Sequence, residues 1–287
     1  MMSGSSYDLA EIGTYTGQDV RLYRFQRDQA FWFYNTGDRD IDWSGATWLT
    51  TSISDDGLKQ KSEAVTDDFT ITVPSGMTIV QMFRGTPPSD PIKVTVRQLQ
   101  YGDTMAPIIW VGYVSSVRYR DEVTSDIVAN TQTAYLNKKG LRLSWTRGCP
   151  YALYDRDCGV DRNQWAEYVA LTNLHGNGFH WRHLGGHPIN PSIWPGRLTN
   201  GYVEWSPFHN YFERRAILVD LNSTPLVNNG DVLIIGQTDG MIEGMHAVMY
   251  PGCTRDPAGC KRFNNISNYG GFGFMSGKSP FDGSRIF

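Results

Sequence analysis

Phe69-Thr70-Ile71-Thr72-Val73 alternates strictly, which puts Phe69, Ile71 and Val73 on one face of a strand and both threonines on the other. Pro74-Ser75-Gly76 ends that strand. Outward from it the same period recurs: Ile92-Lys-Val-Thr-Val-Arg97 alternates, and Ile108 to Tyr119 reads as a long strand that Gly112 bends or leaves open to a close neighbour. Leu22 to Phe25 and Phe31 to Tyr34 are aromatic-rich runs around a polar turn, Gln26 to Gln29. Ile41 to Ile53 carries Trp43 and Trp48 about a Ser44-Gly45 hairpin turn, and Asp126 to Ala129 and Thr131 to Leu136 continue the β pattern to the Lys138-Lys-Gly140 break. One short helix is expected from Met77 to Phe83, stopped by Pro87-Pro88. Strands in such close succession predict a mainly β protein with a sandwich- or barrel-like domain over residues 1–140.

Beyond residue 140 a second domain, 141–287, is expected, with a small β insert at about 164–245. Strands are predicted there at Gly201 to Trp205, Arg215 to Leu221 and Asp231 to Ile235, and the stretch before them reads as a polar, turn-rich loop. The whole chain has 287 residues, enough for two buried cores. It carries 26 Lys plus Arg against 29 Asp plus Glu, a balance that gives no electrostatic reason for specific nucleic acid binding. Aromatic residues make up 13%, with nine tryptophans and 30 glycines, a mixture suited to short strands, tight turns and aromatic subunit contacts. No secretory signal or membrane-spanning run is read, so synthesis in the cytoplasm of the host cell is expected.

The four cysteines form two local pairs, Cys149-Pro-Tyr-Ala-Leu-Tyr-Asp-Arg-Asp-Cys158 and Cys253-Thr-Arg-Asp-Pro-Ala-Gly-Cys260. Two pairs can compose one four-thiolate site, and spacing alone leaves three readings open. An iron–sulfur cube takes one thiolate per iron; zinc accepts four thiolates but favours tighter knuckles; disulfides are sterically possible but disfavoured where the chain is made under reducing conditions. Any four-thiolate clamp would tie together loops 94 residues apart, a closure whose entropic cost grows with the logarithm of loop length. Gly148, Gly159, Gly252 and Gly259 stand beside the cysteines and would let backbone N–H groups approach sulfur.

Other constellations carry less. His175, His180, His183 and His187 crowd together but match no metal-ligand spacing, and no acid lies between Leu171 and Tyr202. A cysteine hydrolase would pair Cys149 or Cys158 with His246, yet a nucleophile has no use for a matched set of four thiols. Gly270 to Ser279 fails as a phosphate loop because Phe272 stands where a glycine is required. Phe272, Phe274, Phe281 and Phe287 make the tail an aromatic anchor segment.

Arg147-Gly-Cys-Pro-Tyr-Ala-Leu-Tyr-Asp-Arg-Asp-Cys-Gly-Val-Asp161, with Gly259-Cys-Lys-Arg-Phe-Asn264 and the Gly-Gly-Phe run at 270 to 272, resembles a family of phage minor tail proteins of the lambda tail tip and gene transfer agent hub type. The resemblance is strong over about residues 140 to 165 and 250 to 273. It implies that Cys149, Cys158, Cys253 and Cys260 ligate a [4Fe–4S] cluster, that residues 1–140 form a hub ring domain, and that the role is structural, with no catalysis. It further implies a virion protein of the tail tip or baseplate, in three copies. The implied neighbours are a distal tail protein ring, a central tail fibre or receptor-binding hub protein, and the tape measure protein. A zinc-stapled tail module and an iron–sulfur redox enzyme are the alternatives; the second lacks any further cofactor motif.

Overall fold

The computed structural model describes residues 19–57, 68–101, 103–132, 145–184, 194–208, 211–221 and 229–275. The chain divides into two compact units, Met1–Lys138 with Phe208–Tyr211, and Lys139–Pro207 with Phe212–Phe287. Both are β, as the sequence predicts.

The first unit is one nine-stranded sheet. Its strands are β1 (Asp19–Arg27), β2 (Ala30–Asn35), β3 (Ile41–Trp43), β4 (Ala46–Thr50), β5 (Ser54–Asp55), β6 (Asp68–Pro74), β7 (Lys93–Gln100), β8 (Ile108–Tyr119) and β9 (Thr124–Thr131). They lie in the order β3-β4-β2-β1-β7-β8-β9-β6-β5, antiparallel except where β2 meets β4. Phe69, Ile71 and Val73 of β6 are buried together with Tyr23, Phe25, Val94, Val96, Ile127 and Ala129. The short helix α1 (Thr78–Gln81) adds Ile79 and Val80 to that core. Ser44 and Gly45 both take positive φ, 53° and 78°, which is the twist a two-residue hairpin turn requires. At Gly112 a Cβ would stand 2.2 Å from the Asn130 carbonyl oxygen of β9 and 2.3 Å from the Trp110 ring, so the close neighbour anticipated from sequence is real.

The sheet curls at both ends. On the face opposite the main core, Trp48 packs with Val20, Leu22 and Leu99, and Phe33 and Trp43 lean on the same group. Ring centroids of Phe33 and Trp48 lie 4.9 Å apart in an edge-on pair, a geometry worth about 0.5–1.5 kcal/mol beyond the area buried. At the far edge, Asp55 of β5 receives hydrogen bonds from Arg21 and Tyr23 of β1, strands well separated from β5 in the sheet order. The sandwich-like character of this unit comes from that curl.

The second unit contains a closed barrel of six strands: β10 (Glu167–His175), β11 (Gly178–His183), β12 (Tyr202–Phe208), β13 (Tyr211–Asp220), β14 (Asn229–Ile234) and β15 (His246–Tyr250), in the order β10-β11-β14-β13-β12-β15. Closure leaves no strand edge unpaired. Val169, Leu171, Phe179, Trp181, Val203, Trp205, Val232, Ile234, Ala247 and Met249 belong to its core. Three of these strands were expected; β10, β11 and β15 were not. Where a loop was read, Phe179 and Trp181 point inward while His180 and Arg182 are exposed, an alternation hidden by the polarity of the outward residues. Buried charges are paired: Arg197 forks onto Glu167 at 2.7 and 2.6 Å, and Arg215 meets Glu213 at 3.0 Å.

The Asp55 contact gives the first unit a pH signature. Burial pushes its carboxyl upward, but the bonds from Arg21, Tyr23 and the Gly57 N–H (2.9 Å) outweigh burial and hold it below its ordinary value of 3.8. A depressed carboxyl contributes stability that is complete above the ordinary value and is lost as pH falls through the lower, folded-state value. Asp55→Asn is expected to cost about 1–3 kcal/mol at pH 7, the range for hydrogen bonds to a charged group and toward its lower end because Arg21 is partly exposed. It should also flatten the acid loss below pH 4. Hydrogen-exchange mass spectrometry of peptides covering β1, β5 and β6, corrected for intrinsic rates, measures both effects.

Candidate metal centre

The four cysteines lie on the segments that enter and leave the barrel, three on loops and Cys260 in a short helix. β10 and β15 pair antiparallel with Glu167 opposite Met249, so the start of the first strand and the end of the last are side by side. The segment before β10 carries Cys149 and Cys158; the segment after β15 carries Cys253 and Cys260. Strand pairing, without any metal, therefore brings the two remote couples to one end of the barrel. The closure of that long loop, whose cost a thiolate clamp was expected to offset, is made by the barrel register.

Close backbone contacts fix that junction. A Cβ on Gly252 would stand 2.0 Å from the Thr199 carbonyl oxygen and one on Gly201 2.0 Å from that of Tyr250, so both positions require glycine. The Cys149 N–H donates to the Arg255 carbonyl at 2.8 Å, crossing from one pair to the other. The Tyr154 hydroxyl donates to the Pro251 carbonyl at 2.8 Å, and its ring meets Tyr202, Tyr250 and Phe263 edge-on. The Tyr269 hydroxyl lies 2.8 Å from the Arg147 carbonyl and 3.4 Å from that of Arg255.

Each pair has an aspartate that shapes its turn. Asp155 accepts from the Cys158 N–H at 2.6 Å and from the Ala152 N–H at 3.0 Å. Asp256 caps the helix α2 (Pro257–Arg262) by accepting from the Gly259 N–H, and takes the Thr254 hydroxyl at 2.7 Å. The Gly259 N–H, then the Thr254 hydroxyl, hold the Asp256 carboxyl below its usual range. Pro257 in the first turn of α2 lacks only an N–H that the helix does not use.

Cys149, Cys158, Cys253 and Cys260 together line one cavity of about 490 Å³. Tyr151, Tyr154, Leu218, Ile235 and Phe263 form other parts of its wall. Burial pushes the Cys253 and Cys260 thiols upward, and the neighbouring cysteines add to the shift because a second negative sulfur nearby opposes ionisation. Two sulfurs already face N–H donors, Cys253 with the Arg255 N–H at 3.3 Å and Cys158 with the Asn265 side chain at 3.7 Å. The first donor is a backbone group, as foreseen, but it comes from Arg255 and not from a glycine. Among the described residues no group of three or more His, Cys, Asp and Glu converges tightly enough to grip a single metal ion. A tetrahedral ion needs its sulfurs at ~2.3 Å; a four-iron cube spaces them wider and takes one thiolate per iron. Four soft thiols around one cavity are a donor set that either accepts, and a cube would use one of them per iron.

The remaining candidates fall elsewhere. His175 ends β10, His180 and His183 lie on β11, and His187 lies outside the described residues. The fold supplies the acid missing from the local sequence, since His180 Nε2 stands 3.7 Å from Asp231 across the β11–β14 register. His246 is exposed on β15 and is absent from the lining of the cysteine cavity, which contains no histidine among the described residues. Phe272 stacks on Trp145 at 4.9 Å and Phe274 is fully exposed; Phe281, Phe287 and residues 276–279 of the glycine run lie outside the described residues. No helix among the described residues is long and apolar enough to cross a membrane.

Residues 196–279 match a family model described as "Phage conserved hypothetical protein BR0599", a window that holds Cys253 and Cys260. An uncharacterized protein of Xylella fastidiosa (strain 9a5c) is 31% identical over 128 residues, covering 40% of this chain and 27% of that protein. In fold, 99% of the chain is similar to the whole of a chain from the virion of a native gene transfer agent particle, with a TM-score of 0.75 at 17% identity.

Gly252→Ala tests the junction directly. With backbone carbonyls on the far side there is nothing flexible to yield, and overpacking is expected to destabilise the second unit by about 1–3 kcal/mol. Chemical denaturation of wild type and variant, with hydrogen exchange at β12 and β15 to localise the loss, gives the value.

Proposed function

We propose that this protein is a structural component of a phage-type virion, placed at the tail tip or baseplate hub, and that Cys149, Cys158, Cys253 and Cys260 hold one [4Fe–4S] cluster. The observation that carries the cluster is that four thiols from two remote segments line a single cavity. The virion reading is supported by the phage family match over 196–279 and by the likeness of fold to a chain of a gene transfer agent particle. The three-copy ring, and the distal tail ring, central fibre or receptor-binding hub and tape measure neighbours, follow from the resemblance of the cysteine segments.

When bound, the cluster would cross-link four chain positions and cancel the mutual repulsion of their thiolates. The chain does the rest. Asp155 and Asp256 set the turns, Tyr154 and Tyr269 tie each turn to the other segment, and the barrel register holds the segments together. The role is non-enzymatic.

Anaerobic purification tests this reading. Broad visible absorption with about four irons and four sulfides per chain is expected; a colourless protein carrying zinc overturns it. Cys253→Ser should lose the iron and the colour. Because strand pairing closes the barrel, β10 and β15 in that variant should keep their hydrogen-exchange protection, and global loss of that protection would make the metal, not the register, the element that closes the fold. Imaging of intact particles counts the copies.

A further inference from the structure

The four-thiol cavity has one residue that touches both cysteine pairs through its side chain and backbone together. Asn265 is nine-tenths buried. Its side-chain nitrogen donates to the Cys158 carbonyl at 2.6 Å and lies 3.7 Å from the Cys158 sulfur. Its backbone N–H donates to the Cys260 carbonyl at 3.1 Å, and its own carbonyl accepts the Cys260 S–H at 3.0 Å. The amide orientation is determined, because a carbonyl can only accept, so the atom facing Cys158 must be the nitrogen. Asn268 confirms it by donating to Asn265 Oδ1 at 2.8 Å.

We infer that Asn265 is a positioning residue that couples the two cysteine pairs and sets the reactivity of Cys158 through an N–H aimed at its sulfur. This inference rests on reading the four cysteines as one ligand set. The only other N–H bonded to a cysteine sulfur among the described residues is the Arg255 backbone group at Cys253, which no side-chain change can remove. Cys158 instead takes its donor from a side chain, so this chain can tune that corner of the site by one substitution. The Cys260 S–H bond exists only in the thiol form and would end when a metal bound the sulfur and the proton left to solvent. The bonds to Cys158 need no thiol proton, so they persist in either state. Asn265 therefore restrains two ligands before metal arrives and polarises one sulfur afterward.

The test uses the full chain in two states. In the reduced, metal-free protein, iodoacetamide alkylation is followed at each cysteine by mass spectrometry for wild type, Asn265→Ala and Asn265→Asp. The Asp variant keeps the volume and removes the donor. Cys158 is expected to react about tenfold more slowly relative to Cys149, Cys253 and Cys260, because the sulfur anion that attacks has lost the N–H that favours it, while Cys260 keeps its bonds to the Asn265 backbone. Exposed Asn268→Ala frees the amide without touching a sulfur and should lower the Cys158 rate in the same direction but less, so a poorly folding Asn265 variant leaves the test intact. Unchanged Cys158 rates across the folded variants overturn the inference. In the iron-loaded protein, removing an N–H bonded to sulfur disfavours the more negative reduced state, so the midpoint potential of Asn265→Ala, which removes the donor and adds no charge, should move to more negative values. A merely structural role would leave that potential where it is, and an unmoved midpoint overturns the tuning. Failure of wild type to take up iron sinks the proposed function, while the alkylation rates still decide the coupling.

Discussion

The pairing of β10 with β15 is the constraint on which the second unit depends. Glu167 opposite Met249 makes the barrel's first and last strands neighbours, and an antiparallel pair puts the entrance of one beside the exit of the other. Every feature of the cysteine site follows from that register. A slip of one residue would turn Val169 and Leu171 outward and carry the two segments apart. The glycines at 201 and 252 are the steric trace of the same constraint, because the backbones there approach more closely than any side chain allows.

The first unit solves a different problem with the same material. Nine strands in one sheet present two faces between the short edge strands β3 and β5, and neither face can stay wet when one carries Tyr23, Phe25 and Ile71 and the other Leu22, Leu99 and Trp48. Curling covers both. The β3–β4 hairpin supplies its tryptophans to the second face, and Asp55 at the opposite edge is held by Arg21 and Tyr23. The polar contact fixes where the curl ends at one edge, while Trp48 and its aliphatic neighbours supply the apolar contact at the other.

Much of this was legible in the residues. The alternation at 69 to 73 and 92 to 97 gave strands because half-buried strands must alternate, and Ser44-Gly45 gave the hairpin because only a few residues accept two positive φ angles. The aspartates three places before Cys158 and Gly259 carry a capping signature that the sequence displayed and the reading passed over. β10 and β11 were missed for a physical reason: their outward faces carry histidine, arginine and threonine, so composition reads as loop although Phe179 and Trp181 alternate with them. Asn265 had no local signal at all. Its meaning depends on Cys158, 107 positions away, and only the barrel register makes them neighbours.

The division of labour between register and metal follows from the energetics of four crowded thiols. Bringing them to one cavity costs little while they are protonated, since neutral sulfurs do not repel and the closure entropy has already been offset by strand pairing. Ionising them there is what costs, because like charges oppose one another and burial pushes the Cys253 and Cys260 thiols upward. A cationic metal core, such as the proposed cluster, would offset both penalties at once. A preformed barrel end with thiols waiting on the two segments that flank it is thus a site poised for such a core, in which the fold does the gathering and the proposed cluster supplies the countercharge.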